Sequence, residues 1–333
     1  MPNIFFRSIR TLFLAIFALA AGCSLAQADE PHPVRIDVGG TELNSILVKG
    51  NKNPDLPPIV FIHGASASLY DPVLSFRRKL QGRADLLFVD RPGHGSSDAG
   101  SPRNILPDGQ ADAIALLMQA RGIGKAVIVG HSFGGAIAAA LAIRHPDKVA
   151  GLVFLSPAVY PWEGGVAWYY DAAAVPVTGP LFSTFIAPPI GLAAIDRATR
   201  AVFWPNQPPA NYIRETRALQ ALRPAAFRHN AMEVAALSDW AKTASVNYRR
   251  IKAATVIITG DADKIVSPTV HARHLARDIA GSKLVVVRNL GHKSDYVASD
   301  LAIEAIRKVA GRKNGLETVR KITEQRIADD GKR

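Results

Sequence analysis

The chain contains a single cysteine, Cys23, among its 333 residues. One cysteine cannot form an intramolecular disulfide, and it cannot supply the ligands of a cysteine metal cluster. The cellular compartment therefore has to be inferred from the amino terminus and not from disulfide usage.

The sequence also lacks internal repeats, a nucleic-acid-binding module, a metal-ligand spacing and a dinucleotide-binding fingerprint. Its net charge of +12 would by itself suit nucleic acid or an anionic membrane. However, no Lys/Arg block has interleaved aromatic residues, and the most basic stretch, residues 307–333, contains acidic residues as well. We therefore expect a globular protein with no nucleic-acid partner, no metal and no cofactor.

The first residues resemble a targeting segment. Arg7 and Arg10 precede an apolar run at residues 11–22, which is too short for a comfortable membrane span but typical of a signal-peptide core. Cleavage after Ala28 is one interpretation. Alternatively, the residues before Cys23 resemble a bacterial lipobox, although Leu19 lies one place too early.

An uncleaved anchor and a cytosolic protein with an apolar N-terminal helix are the remaining alternatives. We expect residues 1–28 to be a signal peptide or lipoprotein signal outside the fold. The sequence then predicts export to the bacterial periplasm or secretion, with membrane attachment through the N-terminus or a lipidated Cys23 as an alternative.

Eight short runs rich in β-forming residues predict strands at 34–38, 43–48, 59–62, 86–89, 126–129, 152–155, 255–258 and 284–287. The last six are nearly continuous apolar stretches, as expected for parallel strands that are buried on both faces. The first two are joined through Gly39-Gly40, which indicates a hairpin. The sheet is therefore expected to begin antiparallel and to continue parallel.

Helical apolar spacing occurs between the later strands, at 72–80, 108–121, 133–145, 268–280 and 294–309. Alternating strands and helices predict an α/β fold with an eight-stranded, mostly parallel, doubly wound sheet. Residues 29–156 and 251–310 would form this core.

The alternation stops between residues 157 and 250. This stretch holds all four tryptophans, and ten of the 22 prolines lie between Pro157 and Pro224. We expect short, kinked helices that form an inserted lid over the carboxyl edge of the sheet. Residues 311–333 form a C-terminal tail, for which a surface helix and disorder are both open.

A Gly-x-Ser-x-Gly pattern, with Ser132 between Gly130 and Gly134, follows the predicted fifth strand and opens a helix. In this context the pattern predicts a nucleophile on a strained turn, where small flanking residues allow other backbone to approach. The positive end of the helix dipole would face an anion that develops there.

A serine nucleophile needs a base, and the downstream candidates are His145, His229, His271, His274 and His292. His145 ends a helix, while His271 and His274 lie on a predicted helix, so all three are expected to face solvent. His292 follows the last strand, at the sheet edge where a base belongs, and Gly291 would allow the turn.

The base in turn needs an acid. Asp261 and Asp263 both follow the seventh strand, and Asp263 is preferred. An oxyanion hole completes the set, for which the backbone N–H groups of Phe133 and Ala65 are the candidates. His63, Gly64 and His131 lie beside these residues, and supporting roles are expected for the two histidines.

Three further stretches carry a family resemblance: His63-Gly64, residues 90–97 (DRPGHGSS) and residues 257–266 (IITGDADKIV). Over residues 34–310 the chain resembles the lid-bearing branch of the α/β-hydrolase superfamily. That branch includes epoxide hydrolases, haloalkane dehalogenases, perhydrolases, C–C hydrolases and small-acyl esterases. The resemblance selects Asp263 as the acid, and the order Ser132, Asp263, His292 matches the family order.

Epoxide hydrolases and dehalogenases are excluded, because they carry an aspartate where this chain has Ser132. The resemblance implies a serine hydrolase that cleaves a carboxylic ester of a small or apolar acyl group through an acyl-enzyme on Ser132. The alternatives are a C–C bond hydrolase or a perhydrolase with the same triad, and a non-catalytic ligand-binding member of the fold.

Overall fold

A computed structural model of the chain describes residues 31–331. Its sheet has eight strands, namely β1 (Val34–Asp37), β2 (Glu42–Val48), β3 (Ile59–Ile62), β4 (Leu86–Val89), β5 (Ala126–His131), β6 (Val149–Leu155), β7 (Thr255–Gly260) and β8 (Lys283–Val287). The spatial order is β1-β2-β4-β3-β5-β6-β7-β8. β2 pairs antiparallel with β1 and β4, and all other pairs are parallel, which confirms the predicted fold class.

The strand order positions two loops side by side. After β3 the chain moves outward to β4, and it then returns past β3 to form β5. Ile62, the last residue of β3, is in register with Gly130 near the end of β5. Ligands of open α/β sheets bind at such a switch point, outside the carboxyl ends of the strands.

Burial on both faces explains why β3 to β7 have apolar sequences. Alternate residues of one strand enter different cores: in β5, Ile128 packs on one face and Val129 on the other. The aromatic ring of Phe61 stacks on those of Phe76 and Phe88, with centroids 4.9 and 4.8 Å away. Such strands read as continuous hydrophobic runs because neither face meets water.

Eleven α-helices surround or extend this sheet in the described residues: α1 (Tyr70–Leu80), α2 (Pro107–Ala120), α3 (Phe133–Arg144), α4 (Trp168–Ala174), α5 (Gly179–Phe203), α6 (Tyr212–Glu215), α7 (Pro224–Ala244), α8 (Ala272–Asp278), α9 (Ser294–Val297), α10 (Ser299–Val309) and α11 (Leu316–Asp330). Short 3₁₀ turns lie at Pro102–Ile105, Pro146–Lys148, Ala218–Leu222 and Ser245–Arg250. The predicted helix at 268–280 is shorter in the structure, and the helix predicted at 294–309 is interrupted at Ala298.

The segment between β6 and β7 is helical throughout its regular structure. It contains α4 to α7, and α5 includes one π-helical turn at Phe182–Ile186. No single described helix is long and apolar enough to cross a membrane, but the pair α4 and α5, bent by 118°, passes that test on length and composition.

The C-terminal tail is a helix, the first of the two alternatives. Helix α11 packs on α10 and β8 and buries Leu316 and Ile327. The carboxylate of Glu324 accepts a hydrogen bond from the backbone N–H of Arg288 at 3.1 Å. The predicted signal segment at residues 1–28, including Cys23, lies outside the described residues.

Candidate active site

Ser132 lies on the turn between β5 and α3 with φ +53° and ψ −117°. A non-glycine residue in this region is strained and persists only where its surroundings hold it. Three backbone bonds do so: the Ser132 N–H donates to the Leu155 carbonyl at 3.0 Å, and the Ser132 carbonyl accepts from Gly135 and Ala158.

The two glycines beside Ser132 are required by close backbone contacts. A β-carbon on Gly130 would lie 2.4 Å from the Gly134 carbonyl oxygen, and one on Gly134 would lie 2.2 Å from the Ile62 carbonyl oxygen. A side chain at Gly130 would therefore push the strand away from the first turn of α3, and one at Gly134 would push that helix away from the end of β3.

Asp263 and His292 form a buried pair after β7 and β8. His292 Nδ1 lies 2.9 Å from Asp263 Oδ2, so Nδ1 carries the proton and donates it. Asp263 Oδ1 accepts from the N–H groups of Ile265 and Val266. Asp261 is exposed and instead accepts from the backbone of Asn289.

The environment keeps Asp263 ionised. Burial by itself raises the pKa of this carboxyl, but the His292 charge and the hydrogen bonds from His292, Val266 and Ile265 outweigh it, and the pKa falls below its usual value. An anionic Asp263 fixes the His292 tautomer in which Nε2 is free to accept a proton.

Gly291 serves a different purpose from the one its position suggested. It does not provide a positive φ angle. Instead, a β-carbon there would lie 2.1 Å from the carbonyl oxygen of Trp204, the residue directly after α5 in the inserted segment. The backbone of the loop that carries His292 therefore packs directly on the backbone that follows α5.

Hydrogen bonds to the carbonyl oxygen fix the orientation of the Gly64–Ala65 peptide. Gly64 O accepts from His63 Nδ1 at 2.8 Å and from Arg91 Nη2 at 3.2 Å. In a trans peptide the C=O and N–H point in opposite directions, so the Ala65 N–H points away from Arg91. The other candidate donor, the Phe133 N–H, is the first of α3, where the helix supplies no carbonyl partner.

His63 has a defined tautomer, because its Nε2 accepts the backbone N–H of Arg91 at 3.1 Å. The proton therefore lies on Nδ1, which faces Gly64 O. Burial, followed by the charge of Arg91, holds the pKa of His63 well below its usual value, so the ring is neutral. His63 supports the loop from behind, as its position in the sequence suggested.

Arg91 anchors a buried polar network that sequence reasoning did not find. Its guanidinium is fully buried, donates to Glu233 at 3.0 Å and to Gln110 at 2.8 Å, and lies 4.5 Å from the centroid of the Phe133 ring. Glu233 also bonds His94 at 2.8 Å. Arg91 thus contacts both segments that carry the candidate oxyanion donors.

Glu233 remains anionic in this network. Burial alone would raise its pKa, but Arg91 and His94 hold the pKa well below the usual value. Burial and Arg91 also lower the pKa of His94 to about 4. The buried charges are therefore one guanidinium and one carboxylate, which compensate each other.

Lys293, directly after His292, forms a second buried cluster. Its ammonium donates to Asp71 at 2.6 Å and to Asp295 at 3.0 Å, and Tyr212 donates to Asp71 at 2.6 Å. Although burial would lower the pKa of Lys293, the two carboxylates raise it well above the usual value. This cluster ties the His292 loop to helix α1.

Asp71, His131 and Asp295 also place one possible metal-ligand atom each within 4.8 Å of one another. The Lys293 ammonium already bonds both carboxylates, so a metal ion would have to displace it. His131 Nε2 donates to the His292 carbonyl at 3.0 Å. Burial, followed by the charge of Lys293, holds the pKa of His131 well below its usual value.

The prediction that His271 faces solvent is wrong. The side chain is buried, and its Nδ1 accepts the backbone N–H groups of Val159 and Tyr160 at 3.2 and 3.1 Å. Burial lowers the pKa of His271 to about 4. His145 is partly buried, and its Nε2 lies 2.8 Å from Asp112 Oδ1. His229 is buried, and its Nε2 lies 3.1 Å from Glu233 Oε1. Of the five candidates, only His292 both bonds an aspartate and lines the cavity that Ser132 lines.

Ser132, Ala65 and His292 line one cavity of about 390 Å³. The opposite wall consists of apolar side chains from the inserted helices, among them Trp168, Phe182, Ile190 and Phe227. Asp71 and Lys293 also line the cavity and are ion-paired with each other. The cavity therefore brings a nucleophile candidate, a base candidate and an apolar surface together.

A mostly parallel eight-stranded sheet, with a strained serine after β5 and an Asp–His pair after β7 and β8, defines the α/β-hydrolase class. A family model described as the alpha/beta hydrolase fold matches residues 57–296. The chain belongs to this family.

Two curated relatives and one solved structure illustrate the range of similarity. The chain is 50% identical over 70 residues to lipase LipV of Mycobacterium tuberculosis, which covers 21% of this chain and 26% of the lipase. It is 28% identical to 2-(acetamidomethylene)succinate hydrolase of Mesorhizobium japonicum, across 82% of this chain and 92% of that protein. The enol-lactonase from Burkholderia xenovorans LB400 superposes with a TM-score of 0.64 at 22% identity, covering 84% of this chain and 100% of that chain.

The first two curated relatives are matched over only 26% and 38% of their own length. The similarity to the enol-lactonase shows the shared fold. Hydrolase membership follows from the family, and the substrate has to be inferred from the site itself.

Proposed function

We propose that the protein is a serine hydrolase that cleaves carboxylic esters through an acyl-enzyme on Ser132. The observation that carries the proposal is one cavity that is lined both by the strained Ser132 and by His292, whose Nδ1 is bonded to the buried Asp263. A serine on such a turn presents its hydroxyl to a ligand, and a histidine with a protonated Nδ1 offers its Nε2 as base.

In this mechanism His292 Nε2 takes the Ser132 proton as Oγ attacks the ester carbonyl. The N–H groups of Ala65 and Phe133 stabilise the oxyanion that develops. The tetrahedral intermediate collapses, His292 protonates the leaving alcohol, and the acyl group stays on Ser132. A water, deprotonated by His292, then attacks the acyl-enzyme and releases the acid. Asp263 stays ionised and stabilises the imidazolium.

The acyl group is proposed to be small or apolar. The walls opposite Ser132 are Trp168, Phe182, Ile190 and Phe227, which offer dispersion contacts and few hydrogen-bond donors. An uncharged acyl chain would lose little hydration there, whereas a peptide would leave polar groups unpaired. The relative LipV is a lipase, which agrees with this substrate class.

The test is a panel of p-nitrophenyl esters of increasing acyl length, assayed with the wild type and Ser132→Ala. We expect wild-type turnover that Ser132→Ala abolishes, whereas Ser66→Ala, a second serine of the same cavity, retains most of the activity. Equal slow hydrolysis by wild type and Ser132→Ala would reject the proposal. If Ser132 acylates with no ester turnover, the C–C hydrolase and perhydrolase alternatives become the better choice.

We also propose that residues 1–28 direct export, with Asp29 or a lipidated Cys23 as the mature N-terminus. The basic residues Arg7 and Arg10 before an apolar run support this. Mass spectrometry of the protein from its bacterial host would give the mature terminus. A retained Met1 on soluble cytosolic protein would reject it.

A further inference from the structure

The inserted helices expose an unusual amount of apolar surface. Seventeen large apolar side chains are exposed among the described residues, and nine of them lie within 25 positions: Trp168, Tyr169, Val175, Val177, Leu181, Phe185, Ile186, Ile190 and Leu192. We call this set the lid face. Single exposed apolar residues need no explanation, but a concentration of this kind marks an interaction surface.

Helix α5 is apolar on two opposite sides. Leu181, Phe185 and Leu192 follow one another at helical spacing and are 61%, 68% and 60% exposed. The opposite side, with Ala194 and Ala198, lines the cavity. A helix that is apolar all round is normally buried on every side, so the outer side of α5 lacks the cover that its sequence calls for.

The charge pattern of this segment selects the kind of partner. Residues 172–195 include no Asp, Glu, Lys or Arg. Exposed Asp171 precedes this run, and exposed Asp196, Arg197 and Arg200 follow it, so two arginines stand against one aspartate at its C-terminal margin. An uncharged centre with a net basic C-terminal margin complements the apolar interior and anionic headgroups of a bilayer.

Two further features fit a membrane surface. Trp168 and Tyr169, whose rings are suited to the headgroup level, lie at the start of the lid face. Trp168, Phe182 and Ile190 also line the cavity that contains Ser132. A lipid ester could therefore pass from the bilayer to the serine without crossing water.

We infer that the lid face docks onto an anionic lipid bilayer, with Leu181 and Phe185 inserted and Arg197 and Arg200 on the headgroup phosphates. Docking does not depend on hydrolysis, so it can be tested apart from the proposed function. The delivery of a lipid ester to Ser132 rests on that function.

The experiment uses the full chain and the fluorescence of Trp168. Vesicles of phosphatidylcholine and phosphatidylglycerol with brominated acyl chains quench tryptophans at bilayer depth. We expect quenching that Trp168→Phe removes and that Ser132→Ala leaves unchanged. An anchoring N-terminal segment would not produce this signal, because it contains no tryptophan.

The double variant Leu181→Ser/Phe185→Ser should weaken vesicle binding, measured by this quenching, by about a hundredfold or more, since two large apolar side chains no longer insert. The matched control is Val246→Ser/Ile322→Ser, whose side chains are 74% and 60% exposed outside the lid face. Arg197→Gln/Arg200→Gln should lose the preference for phosphatidylglycerol vesicles.

Absence of Trp168 quenching, or equal quenching in both double variants, would overturn the inference. Sedimentation velocity without lipid tests whether a second copy of the chain covers the lid face instead. A wild-type dimer that becomes monomeric in Leu181→Ser/Phe185→Ser, together with no Trp168 quenching by vesicles, would assign the lid face to that second copy. If docking persists but wild type and Ser132→Ala are equally inactive on esters, the proposed function fails while the docking surface stands.

Discussion

The reactivity proposed for Ser132 depends on its backbone and its neighbours, because a serine hydroxyl is a weak nucleophile at neutral pH. The positive φ angle of Ser132 is maintained by bonds to Leu155, Gly135 and Ala158. The Gly-x-Ser-x-Gly pattern predicted this turn, since each glycine is explained by a backbone contact shorter than a β-carbon allows.

Asp263→Asn should reduce kcat by about 10⁴-fold, because an amide stabilises the wrong tautomer of His292 and cannot compensate the imidazolium. Ester turnover by the purified variant measures this. Asp261→Asn is the matched control, since the exposed Asp261 side chain accepts from the backbone N–H of Asn289 and does not contact His292, and it should keep nearly full activity. A larger loss in Asp261→Asn than in Asp263→Asn would show that the wrong aspartate has been assigned.

His271 should make the protein sensitive to mild acid. Its pKa is about 4 in the folded protein and near 6.5 when unfolded, so between these pH values the unfolded chain binds a proton that the folded chain does not. The free energy of unfolding therefore falls as pH drops from 6.5 to 4, by up to about 3 kcal/mol from this residue.

Urea unfolding of wild type and His271→Gln across this pH range tests the prediction. The variant should lose less stability on acidification than the wild type. His145→Gln, which changes a partly exposed histidine, serves as the control. Parallel pH profiles for wild type and His271→Gln would contradict the assignment.

At the level of elements, the strands were predictable and the buried polar networks were not. β3 to β7 are buried on both faces, and this burial can be predicted from their continuous apolar sequences. Arg91 and Glu233 are 142 positions apart, and Asp71 and Lys293 are 222 apart. No local sequence pattern predicts an ion pair between residues that are so far apart in the chain.

Similar reasoning explains the error at His271. Its helical spacing suggested an outward face, but the true helix begins at Ala272 and His271 precedes it. A shift of a few residues at a helix start rotates side chains to another face. The backbone N–H groups that bind its Nδ1, those of Val159 and Tyr160, lie in a distant loop, so the local sequence around His271 does not reveal them.

Arg91 is expected to act as a positioning residue for the loop at Ala65. Arg91→Lys retains a charge beside Glu233 but loses the fork that reaches Gly64 O and Gln110 as well. We expect kcat to fall by about tenfold or more with KM little changed, since an oxyanion donor matters mainly in the transition state.

Steady-state kinetics of wild type and Arg91→Lys provide the test, with exposed Arg103→Lys as the control. Circular dichroism should show that Arg91→Lys is folded. Arg91→Met, which leaves Glu233 buried without its partner, should lower the free energy of unfolding by about 3–5 kcal/mol. A raised KM with unchanged kcat in Arg91→Lys would contradict the positioning role.

Helix α11 should contribute to stability although it lies outside the resemblance. Leu316→Ala and Ile327→Ala each remove a buried side chain and should cost about 2–5 kcal/mol. Ile322→Ala, on the same helix but 60% exposed, should cost less than about 0.5 kcal/mol. Urea unfolding compares the three, and an equal effect of all three would mean that the helix does not pack on α10 and β8.

For the whole molecule, the positions of the candidate site residues at the sheet edge were easier to predict than the apolar surface of the inserted helices. Each of Ser132, Asp263 and His292 follows a strand, and parallel strands bring their carboxyl ends to one edge. The inserted helices have no such rule, since their positions depend on contacts with the rest of the protein. Their apolar outer face depends on which side chains the fold leaves exposed, and the sequence alone does not give that exposure.

The most direct test of the central claim is labelling with a fluorophosphonate, which forms a stable adduct with an activated serine. The account predicts a single adduct, mapped by mass spectrometry to the peptide that contains Ser132, and much slower labelling in His292→Gln. It predicts no adduct in Ser132→Ala and normal labelling in Ser66→Ala. A folded wild-type protein that stays unlabelled, or that is labelled equally in Ser132→Ala, would contradict the assignment of Ser132 as the nucleophile.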